Sequence, residues 1–78
     1  MSVYVDNFNK KYGRMIMCHM SADTVDELHA MVDRIGLPRK YYQDRHYDIC
    51  LSNKNKALQF GAIEISVREM VKVRNSIL

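Results

Sequence analysis

The sequence predicts an α/β fold in a single small domain that spans residues 1–78. Short runs rich in β-branched and aromatic residues alternate with stretches of helical spacing, and this alternation is typical of layered α/β proteins with some parallel strand pairing. Two capping boxes, at residues 24–27 and 66–69, mark the starts of helices. We therefore expect the order β-β-α-β-α-β-α, with a mixed four-stranded sheet and about three helices.

The first part of the chain predicts two strands separated by a loop. Residues 2–6 are rich in Val and Tyr and indicate a short strand. Residues 7–13 are polar and end at a glycine, so we expect a loop there. Residues 14–20 are almost continuously apolar, which is the pattern of a strand covered on both faces.

The best-marked helix follows these strands. Thr24 and Glu27 form a capping box, in which a hydroxyl and a carboxylate each satisfy a free backbone N–H group. The apolar residues at positions 25, 28, 32 and 35 have helical spacing, and Gly36 followed by Pro38 ends the helix. Residues 37–45 are then expected to form a basic, aromatic loop.

The second half predicts two more strands and two more helices. Residues 46–51 alternate in polarity like a strand, residues 52–60 indicate a short helix ended by Gly61, and residues 62–65 form the fourth strand. A second capping box opens the last helix, whose apolar face consists of Val67, Met70, Val71 and Ile77. Because a chain of this length has a thin core, we expect a homodimer to cover such apolar surface.

Composition favours an anionic partner. The formal net charge of +3 and the pI near 9.0 suit an anionic small molecule or a nucleotide, and they indicate nucleic acid only weakly. Cys18 and Cys50 lie far apart and form no metal-type pair, so we expect reduced thiols and a cytoplasmic location. The chain shows no signal-peptide pattern and no apolar run near the roughly 20 residues that span a bilayer, so we expect no membrane partner.

Three histidines, each within four residues of an acid, outline a candidate polar site. His46 and Asp48 point the same way on a strand, and a carboxylate beside an imidazole fixes the tautomer of the ring. His19 is either a ligand or base near a strand end, or a core histidine bonded to backbone. His29 borders the buried stripe of the first helix, where it either faces His19 or bonds to a strand carbonyl. Asp23 lies at a strand-to-helix junction, as a ligand or as an acid at the helix N-terminus.

A second group of candidate residues lies in the predicted loops. Arg14, Arg39 and Tyr41 place guanidinium groups near aromatic rings. The guanidinium fork suits phosphate and a tyrosine ring can stack on a base, although a solvated basic loop has the same composition. No Walker loop, GxGxxG, CxxC or HExxH motif is present, and the cofactor stays open. A divalent-metal site could still assemble from separate strands, with the ligands His19, His46 and Asp48.

Several short segments, spread over most of the chain, form a specific combined pattern. They are Val3-Tyr4-Val5-Asp6-Asn7, Tyr12-Gly13-Arg14, Cys18-His19-Met20 with Asp23, Glu27-Leu28-His29-Ala30, Arg34-Ile35-Gly36, His46-Tyr47-Asp48-Ile49, Gly61-Ala62 and Arg68-Glu69. In this pattern the chain resembles a family of small phage and bacterial proteins catalogued as a domain of unknown function. The resemblance implies a stand-alone small protein, often phage-encoded, and it implies no particular activity. Residues 67–76 fit the pattern less well.

Three functions from different classes are consistent with these residues. The preferred one is an accessory protein that binds a phosphate-bearing ligand, such as a nucleotide, with the ligand-binding residues Arg14, Asp23, His19, His29, His46, Asp48, Arg39 and Tyr41. The second is a small metal-dependent hydrolase or nuclease in which His19, His46 and Asp48 hold a divalent ion and His29 or Asp23 moves a proton. The third is a module that binds or inhibits a host protein through its basic, tyrosine-rich surface.

Overall fold

The computed structural model describes residues 2–78 and has five strands, three α-helices and one short 3₁₀ helix. In chain order these are β1 (Val3–Asp6), β2 (Lys10–Tyr12), β3 (Met15–Ala22), α1 (Val25–Ile35), the 3₁₀ helix (Arg39–Tyr41), β4 (Tyr47–Cys50), α2 (Leu51–Gln59), β5 (Ile63–Ile65) and α3 (Val67–Ser76). The predicted α/β class, the small domain with a mixed sheet and three helices, and the rough order of the elements are confirmed.

The sheet differs from the prediction by one strand. Residues 7–13 were expected to form a loop, but Lys10–Tyr12 pairs with β3 as a short antiparallel strand. Gly13 lies in the two-residue hairpin turn between these strands. Its φ of 59° is in the left-handed region, which glycine adopts without a steric penalty. All three residues of β2 are exposed, so the strand lacks the apolar alternation by which a half-buried strand is detected.

β3 is the central strand of a mixed sheet. Its residue Met17 pairs with Lys10 on one edge and with Cys50 on the other, so β2 and β4 flank it. β1 pairs antiparallel with β3, where Val5 lies opposite Met20. It lies along the same edge of β3 as β2. β5 then extends the sheet parallel to β1.

The main core lies on the sheet face that α1 and α2 cover. Alternate residues of the three longest strands point into it, and the largest are Met20, Tyr47 and Ile49. Leu28 and Val32 of α1 are fully buried against them. The register of the strands is fixed by this burial, since a shift of one residue would turn the apolar side chains outward.

The opposite face of the sheet carries α3 and the polar residues described below. α3 contacts β3 and β1, and its Met70 is buried outside the main core cluster. Val67 and Val71, which were assigned to the same apolar face, are exposed. The homodimer expected from this helix stays a prediction. In residues 2–78 no helix has the length and apolar character that crossing a bilayer requires.

Candidate metal centre

Two histidines and two aspartates meet on the α3 face of the sheet, close to its centre. His19 of β3 and Asp48 of β4 are direct register partners, so their side chains stand side by side. His46 immediately precedes β4, and Asp6 is the last residue of β1. Asp6 is fully buried, His46 is nearly so, and Asp48 remains open to solvent.

Asp6 fixes the orientation and the tautomer of His19. Its Oδ1 accepts hydrogen bonds from the backbone N–H groups of His19, at 2.9 Å, and of Phe8, at 3.2 Å. Its Oδ2 lies 2.7 Å from Nδ1 of His19. An ionised carboxylate only accepts hydrogen bonds, so Nδ1 carries the proton. In the neutral ring, Nε2 of His19 therefore presents a lone pair.

A tight turn fixes the orientation and the tautomer of His46. Its Nδ1 lies 3.1 Å from the backbone carbonyl oxygen of Asp44, which can only accept, so Nδ1 is again protonated and, in the neutral ring, Nε2 presents a lone pair. Asp44 and Arg45 have φ of 43° and 68°, which gives the turn two central residues in the left-handed region. Ser21 holds this turn in place, because its hydroxyl donates to the Arg45 carbonyl at 2.8 Å.

When both rings are neutral, three hydrogen-bond acceptors therefore converge, namely Nε2 of His19, Nε2 of His46 and Oδ1 of Asp48. Oδ1 of Asp48 lies 3.1 Å from Nε2 of His46 and 3.7 Å from Nε2 of His19, and all three atoms lie within 4.8 Å of one another. Oδ2 of Asp48 is held by the side-chain amide of Gln43 at 3.0 Å. Lone pairs that face a carboxylate repel it, so the arrangement calls for a cation, either a proton or a metal ion.

The geometry is close to that of a divalent-metal site. Bonds of about 2.0–2.2 Å to imidazole nitrogen and carboxylate oxygen put ligand atoms about 3.0–3.5 Å apart, so closure needs movements of about one ångström. Two imidazoles and one carboxylate leave further coordination positions open, which is the arrangement of catalytic rather than structural sites. The Asp6 carboxylate and the Asp44 carbonyl supply the outer hydrogen bonds that metal-binding histidines require.

Comparison with known proteins assigns the chain to a family. A family model for proteins of unknown function (DUF4031) matches residues 3–76. The chain belongs to this family. The resemblance inferred from the short segments is thereby confirmed, whereas a phage origin stays a prediction. No curated protein and no solved structure matches the chain.

A pocket of about 390 Å³ opens beside the candidate metal centre of this DUF4031 chain. Asp48 and Gln43 belong to its wall, together with the apolar side chains of Met15, Met17 and the exposed ring of Tyr41. A ligand in this pocket can therefore contact the Asp48 carboxylate of the candidate metal centre. Tyr41 was predicted as a binding residue, and the structure places it at this pocket.

His29 lies on the other side of the sheet. Its Nδ1 is 2.7 Å from the hydroxyl of Tyr47, and its ring packs edge-on against Tyr42. The expectation that His29 faces His19 is wrong, because Tyr47 and His19 point to opposite faces of neighbouring strands. The structure does not bring His29 to the metal centre.

Asp23 holds the chain termini together. It accepts hydrogen bonds from the Ser2 backbone N–H at 2.7 Å and from the Tyr4 hydroxyl at 3.1 Å. The bond to Asp23, followed by burial, raises the pKa of Tyr4. The Asp23 backbone also accepts from Leu78 and donates to Ser2. These contacts explain Asp23 as a structural residue of the strand-to-helix junction.

The two predicted arginines lie apart from the metal centre. Arg39 makes a bidentate ion pair with Asp33, at 3.1 and 2.7 Å, which lowers the pKa of the Asp33 carboxyl. Arg14 occupies the exposed turn between β2 and β3. Their roles in ligand binding stay predictions.

Two residues of the site were missed in the sequence. Asp6 was read only as the polar end of a strand, although alternation from Val3 and Val5 places it on the face opposite the core. Phe8 was assigned to a loop, and its ring packs 4.8 Å from the ring of His19. The contact between Asp6 and His19 joins positions thirteen residues apart, which no local pattern reveals.

Proposed function

We propose that the protein binds a divalent metal ion through His19, His46 and Asp48 and uses it to hydrolyse a phosphate ester. The observation that carries this proposal is the convergence of two imidazole nitrogens and one carboxylate oxygen. Asp6 sets the tautomer of the His19 ring, and the Asp44 carbonyl sets the tautomer of the His46 ring. A structural ion pair needs only one imidazole beside a carboxylate. Two Nε2 lone pairs aimed at the same oxygen are better explained by a shared cation.

A catalytic role is favoured over a structural one by the open side of the centre. Structural zinc sites are closed by four protein ligands, whereas the cluster found in residues 2–78 offers three. Asp48 is partly exposed and borders the adjoining pocket, so a ligand can reach the position that the protein leaves vacant. A bound ion would polarise a phosphoryl oxygen and lower the pKa of a coordinated water.

A phosphate ester fits the charge of the molecule. The net charge of +3 favours an anionic substrate, and a divalent ion adds to this field at the point where the phosphate must lie. Asp6 would keep His19 in position during the reaction, because it binds Nδ1 and leaves Nε2 for the metal. Gln43 would do the same for Asp48, because it binds Oδ2 and leaves Oδ1 for the metal. The expected phosphate-bearing ligand and the alternative metal-dependent hydrolase thus become one proposal.

A second candidate is a nucleotide-binding protein without catalysis. The pocket beside Asp48 favours it, because Tyr41 and the two methionines offer an apolar surface to a base. Binding of a host protein, a phage accessory role and a cytoplasmic location stay predictions from the sequence.

The hydrolase proposal is tested by assaying metal-free protein with Mn²⁺, Zn²⁺, Co²⁺ or Mg²⁺ on bis(p-nitrophenyl) phosphate and p-nitrophenyl phosphate. We expect release of nitrophenol only with added metal, its loss in His46→Ala and its retention in the matched histidine control His29→Ala. A rate that survives chelation, or no hydrolysis with any of these ions, contradicts the hydrolase. Nucleotide binding without hydrolysis would support the second candidate.

A further inference from the structure

We propose that the substrate is a single-stranded nucleic acid, held along the β2–β3 hairpin so that its backbone runs into the metal centre. This inference rests on the proposed function and names its substrate class. It is carried by the charge of the hairpin, by the exposed rings on one of its faces and by the continuity of that face with His19.

The hairpin is basic throughout. No acidic residue occurs between Asp6 and Asp23, whereas Lys10, Lys11 and Arg14 all lie in this segment. All three are exposed, and none takes part in the ion pairs found in residues 2–78. Unpaired cations on a short projecting ribbon are the groups that contact a phosphate backbone.

Exposed rings and methionines share the face that leads to His19. Strand pairing sets Lys10 beside Met17 and Tyr12 beside Met15, and both methionines alternate with His19 along β3. Tyr12 and Met15 are each more than half exposed. The Lys10 amine lies 5.5 Å from the centre of the Tyr12 ring, so a cation and a stacking surface are offered together.

This face is continuous with the metal centre. Phe8 is exposed on one side and packs against the ring of His19 on the other, with the ring centres 4.8 Å apart. From Met15 to His19 the strand rises about 13 Å at ~3.3 Å per residue. A base on Phe8 would bring its own phosphate next to the ligands of the metal.

Single strands fit this surface better than a duplex or an acidic protein. Aromatic rings can stack only on bases that are not already stacked in a helix, and proteins that bind single strands combine such rings with a basic groove. An acidic protein partner would use the cations but would have no need of Tyr12 and Phe8. A duplex would use the phosphate contacts alone.

The test measures binding of a fluorescein-labelled oligo-dT of about 12 nucleotides, within the usual site size, by fluorescence anisotropy at low salt in EDTA. The triple variant Lys10→Ala/Lys11→Ala/Arg14→Ala should weaken binding at least tenfold and flatten its dependence on salt. The matched control, Lys56→Ala/Arg68→Ala/Lys72→Ala, removes the same charge from α2 and α3. We expect this control to change the affinity less than threefold.

A second pair of variants tests stacking without changing charge. Tyr12→Ala should weaken binding by about 5- to 100-fold, the range measured for loss of one stacked base, and Tyr12→Phe should retain it. Circular dichroism checks that each variant is folded. A labelled duplex of the same length should bind more weakly than the single strand.

The outcomes separate this inference from the proposed function. Binding in EDTA does not require the metal, so a protein that binds oligo-dT but no metal supports the hairpin and contradicts the hydrolase. Absence of binding by the parent protein overturns the inference. It is also overturned by equal losses in the two triple variants, which indicate net charge alone, or by equal affinity for the duplex.

Discussion

The fully buried carboxylate of Asp6 places Oδ2 at 2.7 Å from Nδ1 of His19. Its Oδ1 accepts hydrogen bonds from the backbone N–H groups of His19 and Phe8. Asp6 is closed off from solvent, and both of its oxygens are hydrogen-bonded within the protein. It acts on the centre through His19, whose Nε2 it leaves free and aims at Asp48. Such an outer carboxylate raises the basicity of a metal-binding imidazole.

Asp6→Asn should weaken metal binding by about 10- to 100-fold, the usual effect of losing an outer hydrogen-bonding partner. The amide group opposite Nδ1 would favour the other tautomer and place a hydrogen on Nε2. Asp33→Asn, which removes an exposed carboxylate far from the centre, should leave the affinity unchanged. Calorimetric titration with Zn²⁺ measures both. Equal affinities for Asp6→Asn and the parent would show that Asp6 serves folding alone.

Tyr47→Phe should lower the free energy of unfolding by about 1 kcal/mol, because it removes the hydrogen bond to His29. It should leave metal affinity unchanged, since this hydroxyl bonds to α1 on the sheet face opposite the candidate metal centre. Urea denaturation and metal titration of the same preparation provide the two readings. A loss of metal affinity comparable to that of His46→Ala would mean that the two faces are coupled.

Arg45→Gly should raise the free energy of unfolding by about 1 kcal/mol, because glycine relieves the cost of the left-handed conformation at this residue. The ion pair that it removes, Arg45 with Asp44 at 3.6 Å, is exposed and contributes little. Arg14→Gly is the matched control and should give no increase. A destabilised Arg45→Gly variant would mean that the turn is held by the arginine side chain.

The two thiols should differ sharply in reactivity. Burial raises the pKa of Cys18 to about 12, whereas the hydrogen bond with Ser52 lowers the pKa of Cys50. A lowered pKa means that the thiolate forms at a lower pH, so iodoacetamide should alkylate Cys50 with a midpoint below that of an ordinary thiol. Mass spectrometry should locate the label on Cys50, and Ser52→Ala should move the midpoint upward. Labelling of folded protein at Cys18 would contradict the buried position of this residue.

Local patterns in the sequence were sufficient for most of the fold. The capping box of α3 forms as expected, because Ser66 accepts from the Glu69 backbone N–H and Glu69 accepts from the Ser66 backbone N–H. At α1 half of the expected box forms: Thr24 accepts from the Glu27 backbone N–H, and the Glu27 carboxylate accepts from the Thr24 hydroxyl group in place of the backbone N–H. Gly36 ends α1 in the left-handed conformation. Such signals lie within a few residues of each other, so spacing alone reveals them.

The candidate site depended on contacts that are distant in sequence. His46 and Asp48 were paired correctly from their spacing on one strand. His19 joins them through the register of β3 and β4. His29 lies on the other face, and the sequence does not say on which side of the sheet its helix packs. β2 was missed because an exposed edge strand buries no side chains that would give it an apolar pattern.

The central claim is that His19, His46 and Asp48 share a cation, and a titration of metal-free protein with Co²⁺ tests it most directly. Co²⁺ bound in a low-symmetry site of nitrogen and oxygen ligands gives a visible absorption band. We predict a band that saturates at one ion per chain, is lost in His19→Ala and in His46→Ala, and persists in His29→Ala. No band in the parent protein, or a band that His46→Ala retains in full, would contradict the account.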